Sequence, residues 1–251
     1  LAGSGRAPPA VLVHGLGGSA NSFARIIPAL ARAFRRVLAL DLPGHGFSPL
    51  RPGEEALEAP GHFFAVHGFI EGVAGEPVVL VGNSLGGSIA AVMAARMPEL
   101  VAGLALISPA GAPWTPDEFE RFRESLSPQR AADAARLTAR LFYRPPPLIC
   151  LLGPELRASW NSPAVQKVLA TARHDAFLAP EVLSGLRQPV LFVWGEAERL
   201  LPARGLDHFR AHLPPGSRIE VLARAGHVPQ MERPREVARM LCEFAASVPL
   251  C

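Results

Sequence analysis

The sequence predicts an α/β protein: a mostly parallel sheet of about six strands, helices on both faces, and an inserted helical cap. Short apolar runs alternate with helical patterns up to residue 107, and repeated strand–helix–strand units require right-handed crossovers and a parallel sheet. Between residues 112 and 186 the pattern is helical throughout, and the alternation then resumes. We therefore predict a core of residues 1–111 and 187–251 and a cap of residues 112–186.

The first half of the core contains two strands and two helices in alternation. Ala10–His14 is an apolar strand, and an amphipathic helix over Ser22–Phe34 follows it. Arg36–Leu40 is the next apolar run and predicts a strand. A helix over Gly61–Val73 begins directly after Pro60, because proline is favoured at the start of a helix.

The second half continues the alternation around the cap. Residues 78–81 are β-branched and apolar on both faces, which is typical of a buried parallel strand. The stretch Leu85–Met97 contains several alanines and no proline, so it predicts a helix. The cap opens with TPDEFERFRESL, where Thr-Pro is a helix-start signal. The remaining elements are strands at Val101–Ile107, Pro189–Trp194 and Arg218–Leu222 and a last helix at Pro234–Ala246.

Composition excludes several classes of protein. The chain has 251 residues, 49% of them apolar and 19% charged, which suits one large globular domain and excludes a disordered chain. The net charge is +3, but the arginines are scattered and Lys167 is the only lysine, so we predict no nucleic-acid partner. The three cysteines, Cys150, Cys242 and Cys251, are too far apart to indicate a disulfide framework or a metal site.

The expected location follows from the absence of targeting patterns. No apolar run reaches the roughly 18 residues that a membrane span requires, and no charged-then-apolar leader opens the chain. We therefore expect a cytoplasmic protein with no membrane span, no cofactor and no metal. The first residue is Leu1 rather than Met, so a removed signal or a preceding segment is compatible with the sequence.

Ser84 stands between Gly82 and Gly86 in the stretch VVLVGNSLGGSIA, where a predicted strand turns into a predicted helix. A G-x-S-x-G motif at such a bend exposes the serine on a strained turn, and the glycines are needed because no side chain fits against the crossing backbone. A serine hydroxyl becomes a nucleophile only with a base within hydrogen-bond reach and an acid that orients that base. The rest of the sequence has to supply both groups.

Four further polar stretches each follow a predicted strand. They are HGLGG at 14–18, DLPGHGFS at 41–48, WGEAERLLP at 194–202 and AGHVPQMERP at 225–234. Together with GNSLG, and in this order, they resemble the α/β-hydrolase family from about Val11 to the C-terminus, with a variable cap between. The resemblance implies a serine hydrolase in which Ser84 is the nucleophile and His227 is the base, because the family uses the chain order serine, acid, histidine.

The acid position departs from the family pattern. That pattern resembles W-G-x-x-D, and here the fourth residue after Trp194 is Glu198. A second place where members carry the acid, directly after strand 101–107, reads Ser-Pro-Ala and contains none. We predict that Glu198 orients the histidine, and Glu196 stays open as the alternative.

The resemblance also implies an oxyanion hole. The amide of Leu85, at the positive end of its helix, supplies one donor, and the amide of Leu16 in HGLGG supplies the other. We interpret Asp41 as a residue that closes its own loop, and His14 and His45 as residues that shape loops near the site.

Three function classes remain open. The first is hydrolysis of carboxylic esters, including thioesters, of small to medium apolar acyl groups, because the cap is rich in apolar side chains. The second is hydrolysis of carbon–carbon bonds in ring-cleavage products; those enzymes usually carry a tryptophan after the catalytic histidine, where this chain has Val228. The third is a non-catalytic binding protein, or a domain of an acyltransferase chain, which shares the PAG stretch at 109–111. Branches of the α/β-hydrolase family that attack through an aspartate are disfavoured, because the nucleophile position here holds Ser84.

Family members usually begin with an antiparallel hairpin before the His-Gly strand. Only about ten residues precede Val11, so we predict that this hairpin is absent. The sheet edge that the hairpin normally covers is then expected to be bare. An unpaired edge favours pairing with another chain, so we expect self-association there.

Overall fold

The computed structural model describes residues 1–249 and confirms the α/β fold class. Its strands are β1 (Ala10–Val13), β2 (Val37–Leu40), β3 (Val78–Asn83), β4 (Val101–Ile107), β5 (Val190–Gly195) and β6 (Arg218–Leu222). They form one parallel sheet in the order β2-β1-β3-β4-β5-β6. The chain runs outward from β1 to β2, returns to β3 on the other side of β1, and then continues to β6. The strand order therefore reverses between β1 and β3, where ligands bind in open parallel sheets.

Eleven α-helices are present in the part of the chain that the structure describes. They are α1 (Ile27–Ala33), α2 (Ala59–Phe69), α3 (Leu85–Arg96), α4 (Pro116–Ser125), α5 (Ala131–Ala139), α6 (Gly153–Trp160), α7 (Pro163–Thr171), α8 (Pro180–Ser184), α9 (Gly205–His212), α10 (Pro229–Glu232) and α11 (Pro234–Ala245). Short 3₁₀ turns occupy Ala20–Phe23, Pro98–Leu100 and Ile149–Leu152, and a π-helical turn at Ile70–Ala74 extends α2.

Two apolar layers cover the two faces of the sheet. Successive side chains of a strand point to opposite faces, so Leu80 of β3 packs with α2, α3, α8 and α9, whereas Val79 and Val81 pack with α1 and α11. Both layers consist of fully buried aliphatic and aromatic side chains. The sheet is thus covered on both sides, and its strand ends remain available for polar residues.

The segment between β4 and β5 forms helices α4 to α8. The helices α5, α6 and α7 share an apolar cluster of their own, centred on Leu137, Trp160 and Val165. Helix α4 starts with a capping box, in which the Glu118 amide donates to Thr115 Oγ1 (3.3 Å) and the Thr115 amide donates to Glu118 Oε2 (3.0 Å). Helix α8 packs on the sheet instead of in this cluster, because its Leu183 belongs to the same apolar layer as Leu80.

The predicted helix over Ser22–Phe34 is wrong in its first half. The structure has a 3₁₀ turn at Ala20–Phe23, a break, and then α1, which starts one residue before Pro28. A continuous helix would place Pro28 in its interior, where proline has no amide to donate and its ring clashes with the preceding turn. Helices α9 and α10 lie outside the predicted elements altogether.

The prediction of a bare sheet edge is also wrong where β2 begins. The ammonium of Leu1 donates to the Val37 carbonyl (3.0 Å) and the Val37 amide donates to the Leu1 carbonyl (3.0 Å). The Gly3 amide donates to the Arg35 carbonyl (2.8 Å), and Ala2 pairs antiparallel with Arg36. The N-terminal residues therefore occupy the backbone groups that an incoming strand needs at this place.

The sequence analysis also made predictions about the cysteines and about membrane spans. Cys150 is exposed and Cys242 is half-buried, and both thiols are free; Cys251 lies outside the described residues. Within residues 1–249, no helix combines the length and the apolar character needed to cross a bilayer.

Candidate active site

Ser84 occupies a strained bend between β3 and α3. Its backbone has φ 55° and ψ −118°, a conformation that side-chain-bearing residues rarely adopt. The bend can form because Gly86 lies against β1: a Cβ added there would be 2.3 Å from the Val13 carbonyl oxygen. The Ser84 amide donates to the Ile107 carbonyl of β4 (3.2 Å), which holds the bend on the sheet. The structure thus places Ser84 at the strand ends, as the motif predicts.

The loop after β1 approaches Ser84 closely. A Cβ added at Gly15 would be 2.9 Å from the Ser84 Cβ, so only glycine allows this approach. Leu16 follows Gly15 and lines the same cavity as Ser84. Leu85 provides the first amide of α3, at a position where a helix has no intrahelical acceptor for its amides. The two predicted oxyanion donors therefore belong to two different segments, the loop after β1 and the first turn of α3.

His227 lies on the loop after β6 and is 3% exposed. The side-chain amide of Asn83, the residue before Ser84, donates to the carbonyls of His227 (3.1 Å) and Ile107 (2.9 Å). One buried amide therefore ties the histidine loop to the serine bend. This contact links two motifs that are far apart in the sequence.

Glu198 forms a buried hydrogen-bonded pair with His227. The distance from His227 Nδ1 to Glu198 Oε2 is 2.6 Å, and both side chains are under 5% exposed. Glu198 Oε1 accepts hydrogen bonds from the amides of Leu200 (2.7 Å) and Leu201 (3.2 Å). Burial raises the pKa of the Glu198 carboxyl, but its contact with the His227 imidazole and the hydrogen bonds from the two amides outweigh burial, so the pKa of this carboxyl is lower than usual. The carboxylate is thus kept ionised and aimed at Nδ1.

Glu196, the alternative acid, is exposed, and its amide donates to the Leu222 carbonyl (3.0 Å). Among residues 1–249, the carboxylate that is hydrogen-bonded to His227 is that of Glu198. The place after β4 holds Ser108, a buried residue without a carboxylate. The geometry therefore brings Glu198, and not Glu196, to His227.

Ser84 and His227 line one cavity of about 150 Å³. The Nε2 atom of His227 is buried and has no hydrogen-bond partner among residues 1–249, so the predicted bond to Ser84 is not formed in this structure. Catalytic hydrogen bonds are often long in ligand-free sites and shorten when a substrate binds. An imidazole nitrogen with a free lone pair in the cavity of a serine is suited to accept a proton there.

Apolar side chains form most of the cavity wall, and the helices between β4 and β5 supply many of them. Trp160 donates from its indole nitrogen to Thr138 Oγ1 (3.0 Å), and the neighbouring Ser159 hydroxyl donates to the Gly17 carbonyl (3.4 Å). The contributed side chains are Phe122, Leu126, Thr138, Leu141, Leu156, Ser159 and Trp160. None of the described lining residues is Asp, Glu, Lys or Arg. The cavity suits an uncharged, mainly apolar group.

Asp41 and His14 shape the neighbouring loops. Asp41 accepts hydrogen bonds from the amides of Ala20 (2.6 Å) and Phe47 (2.8 Å), so it closes its loop as expected. His14 accepts from the Leu42 amide (3.0 Å) through Nε2 and bonds the Gly15 carbonyl (2.7 Å) through Nδ1. Burial is the main cause that lowers the pKa of His14 to about 4, so its ring is neutral near neutral pH.

Two more histidines lie beside His14. The ring centroids of His14 and His45 are 5.3 Å apart, and those of His45 and His62 are 5.7 Å apart. Burial is also the main cause that lowers the pKa of His62 to about 4. In the described part of the chain, no group of three or more His, Cys, Asp or Glu side chains is arranged to hold a metal ion.

Glu232 is a residue of the site that the sequence analysis did not identify. Its carboxylate accepts hydrogen bonds from the amides of Gly226 (2.6 Å), Tyr143 (2.9 and 3.0 Å) and Arg144 (3.1 Å). Gly226 precedes His227, and Tyr143 follows α5, so one carboxylate joins the histidine loop to the segment between β4 and β5. Its presence in AGHVPQMERP was the only sequence signal.

Two known proteins are similar to this chain in sequence. Monoacylglycerol lipase ABHD6 of Rattus norvegicus is 26% identical over 262 residues, which cover 97% of this chain and 77% of that protein. The dihydrolipoyllysine-residue acetyltransferase component of the acetoin cleaving system of Pseudomonas putida is 33% identical over 251 residues, which cover 94% of this chain and 63% of that protein.

A solved structure gives the third comparison. The 2-hydroxy-6-oxo-6-phenylhexa-2,4-dienoate hydrolase BphD from Rhodococcus sp. strain RHA1 superposes with a TM-score of 0.80 and 28% identity, covering 96% of this chain and 92% of that one. The similarity to a lipase and to this enzyme supports a hydrolase. A family model described as alpha/beta hydrolase fold matches residues 8–234, and the chain therefore belongs to the α/β-hydrolase family.

Proposed function

We propose that this protein is a serine hydrolase that cleaves carboxylic esters, including thioesters, of small to medium apolar acyl groups. The observation that carries the proposal is the buried Glu198–His227 pair, whose free Nε2 atom lies in the same apolar cavity as Ser84. A buried carboxylate and a buried imidazole are costly to keep, and their pairing in the cavity of a half-buried serine has a direct chemical use.

In the proposed reaction, the Ser84 hydroxyl attacks the acyl carbon while His227 Nε2 accepts its proton. Glu198 stabilises the imidazolium that forms and holds its Nδ1 proton. The imidazolium then donates its Nε2 proton to the leaving alcohol or thiol, which departs and leaves the acyl group on Ser84. Water activated by His227 attacks the acyl group and releases the acid, so both steps use the same base.

The amides of Leu16 and Leu85 are the proposed donors to the oxyanion. Leu16 is on the loop after β1 and lines the cavity of Ser84, and Leu85 is at the start of α3, where the helix dipole is positive. Removing one such donor in a serine hydrolase costs about 10²–10³-fold in kcat. Because both donors are backbone groups, no single side-chain deletion can remove them.

The cavity favours an ester over the carbon–carbon alternative. The Rhodococcus enzyme is named for a dienoate substrate, which carries a carboxylate. A carboxylate that enters an apolar cavity needs a cationic partner, and the described cavity wall contains no Lys or Arg. Val228 also occupies the place after the histidine where such enzymes usually carry tryptophan. An uncharged acyl group meets neither obstacle.

The similarity to the Pseudomonas acetyltransferase component favours a second candidate, in which the acyl group passes to a thiol instead of water. Both candidates share the acyl-enzyme on Ser84. They differ in the second step, which is measured by adding dihydrolipoamide as acceptor and following acyl transfer against hydrolysis. A non-catalytic role predicts no acyl-enzyme at all.

We also propose that residues 112–186 act as a cap on a core formed by residues 1–111 and 187–251. Helices α5, α6 and α7 support this division because they share a cluster separate from the sheet layers. The cap side chains in the cavity wall then decide which acyl groups fit.

The proposal is tested with p-nitrophenyl butyrate and with a ring-cleavage dienoate. The wild type should hydrolyse the ester and leave the dienoate unchanged. Ser84→Ala should retain the fold and lose on the order of 10⁴-fold in ester turnover. Ser125→Ala, which removes a hydroxyl from α4, is the matched control and should keep normal turnover. Dienoate cleavage, or full activity of Ser84→Ala, would refute the proposal.

A further inference from the structure

Three leucines project from the segment between α5 and α6. Leu148, Leu151 and Leu152 are 67%, 69% and 54% exposed. Exposed apolar residues that occur singly are ordinary, but three within five residues form a continuous apolar surface that needs a partner. We call residues 148–152 the leucine tip.

The leucine tip is held out rigidly. Pro145, Pro146 and Pro147 precede it, and consecutive prolines have fixed φ angles that make the chain stiff. The tip itself is a 3₁₀ turn closed by the Ile149 amide on the Pro146 carbonyl (3.1 Å). The segment begins at Arg144, whose amide is bound to Glu232 (3.1 Å). A stiff support lowers the entropy lost when the leucines become buried against a partner.

An arginine-rich groove lies beside the prolines. Its volume is about 540 Å³, and its wall contains four arginines and one glutamate, a net charge of +3. The carboxylate of Glu232 is already occupied by backbone amides. The arginines of this arginine groove are Arg25, Arg144, Arg224 and Arg233.

Most of this positive charge has no carboxylate to balance it. Arg25 donates to the Met231 carbonyl (2.7 Å), and the Arg144 guanidinium lies 5.6 Å from the centre of the Tyr143 ring. Only Arg233 is paired, with Glu236 (2.5 Å), among the groove arginines in residues 1–249. The groove therefore attracts anionic groups, and the guanidinium fork matches a phosphate.

We propose that the leucine tip and the arginine groove together form a docking surface for a lipid surface with anionic headgroups. A bilayer presents phosphates at its surface and hydrocarbon a few ångströms below. The arginine groove would meet the phosphates, and the leucine tip would meet the hydrocarbon. Leucines enter the boundary of the hydrocarbon while arginines contact phosphates. In this mode of docking the leucine tip enters only the boundary of the hydrocarbon, and the arginine groove stays at the headgroups.

Docking in this orientation brings the candidate active site close to the lipid. Met231 lines both the arginine groove and the cavity of Ser84. The docking surface itself stands independently of the proposed function, because it is argued from residues that do not take part in the chemistry. Binding and hydrolysis can therefore be measured separately.

The test is sedimentation of the full chain with vesicles of phosphatidylcholine alone and of phosphatidylcholine with phosphatidylglycerol in equal amounts. The wild type should bind the anionic vesicles more tightly, and added salt should weaken binding. Replacing Leu148, Leu151 and Leu152 together by serine should weaken it by about 10² to 10³-fold, from about tenfold for each leucine. Arg144→Gln should weaken it about five-fold.

Matched controls remove similar groups elsewhere. Phe64→Ser deletes an apolar side chain on α2 that is 66% exposed, and Arg51→Gln deletes an exposed charge; both should bind vesicles like the wild type. Ser84→Ala should also bind normally, which separates failure of docking from failure of catalysis. The triple leucine variant should hydrolyse monomeric p-nitrophenyl butyrate at the wild-type rate, because the tip lies outside the cavity.

Three results would overturn the proposal. The first is failure of the wild-type protein to bind anionic vesicles at low salt. The second is a triple leucine variant that binds as well as the wild type. The third is a wild type that is dimeric in size-exclusion chromatography and a triple leucine variant that is monomeric. The leucine tip would then be covered by a second copy of the chain.

Discussion

Glu232→Ala should reduce both the stability of the protein and its ester turnover. The carboxylate accepts hydrogen bonds from the amides of Gly226, Tyr143 and Arg144, and alanine leaves all three without this acceptor. Glu232→Gln keeps one acceptor oxygen and should have an intermediate effect.

The size of the effect follows from these bonds. A hydrogen bond to a charged group contributes about 1.5–3 kcal/mol, but water can replace the acceptor at partly exposed amides, so we expect a loss of about 2–4 kcal/mol. For a chain of this length, that loss lowers the Tm by about 5–15 °C. Since Gly226 adjoins His227, we also expect kcat to fall by up to about 10²-fold, the cost of misplacing a catalytic group by about 1 Å.

Thermal unfolding and p-nitrophenyl butyrate kinetics measure the two effects on the same samples. The matched control is Glu236→Ala, which removes a partly exposed partner of Arg233 on α11 and should cost less than about 1 kcal/mol. If Glu232→Ala has the Tm and kcat of the wild type, the carboxylate does not join the histidine loop to the rest of the site, and the reasoning fails.

Three further predictions concern the acid, the cavity and the buried histidines. Glu198→Gln should lower ester turnover on the order of 10⁴-fold while Glu196→Gln changes little, and the reverse ranking would move the role of the acid to Glu196. Along p-nitrophenyl esters from acetate to decanoate, kcat/KM should rise about four-fold per methylene, from about 0.8 kcal/mol each, and fall once the cavity is full; a flat profile would exclude the cap from the acyl site. Acidification from pH 6.5 to about 4 should lower the free energy of unfolding. In the folded protein the pKa values of His14 and His62 are lowered to about 4, so in this pH range the unfolded chain binds protons on these histidines and the folded chain does not. His14 accounts for about 3 kcal/mol of this loss, and His62→Phe should flatten the dependence measured by thermal unfolding across pH.

Buried strands were the part of the fold that the sequence predicted best. The predicted bounds of β4 match the structure, because a short apolar run between turn residues is a strong local signal. Those of β6, a mostly half-buried strand, match as well. The start of α1 was mispredicted because the amphipathic pattern continues across Pro28, which the helix cannot contain in its interior. Helix α10 has only four residues, too few to show any periodicity.

The candidate site divides in the same way. Ser84, Glu198 and His227 each follow a strand, so their positions along the chain predicted that they would meet. The contacts of Glu232 with Tyr143 and Arg144 join residues almost 90 positions apart, and no local pattern encodes them. The leucine tip was also missed, since apolar residues in a helical segment look alike whether they are buried or exposed.

The pairing of β4 with β5 closes a loop that contains every helix from α4 to α8. The partners Ile107 and Val193 are adjacent in the sheet although the whole segment 112–186 lies between them. The entropy of closing such a loop depends on the logarithm of its length, so halving or doubling it changes the free energy by only about 0.6 kcal/mol. The sheet can therefore accept insertions of different length here at small thermodynamic cost. If this segment acts as the proposed cap, we expect its exchange between relatives to change substrate preference while Ser84 and His227 stay at the same strand ends.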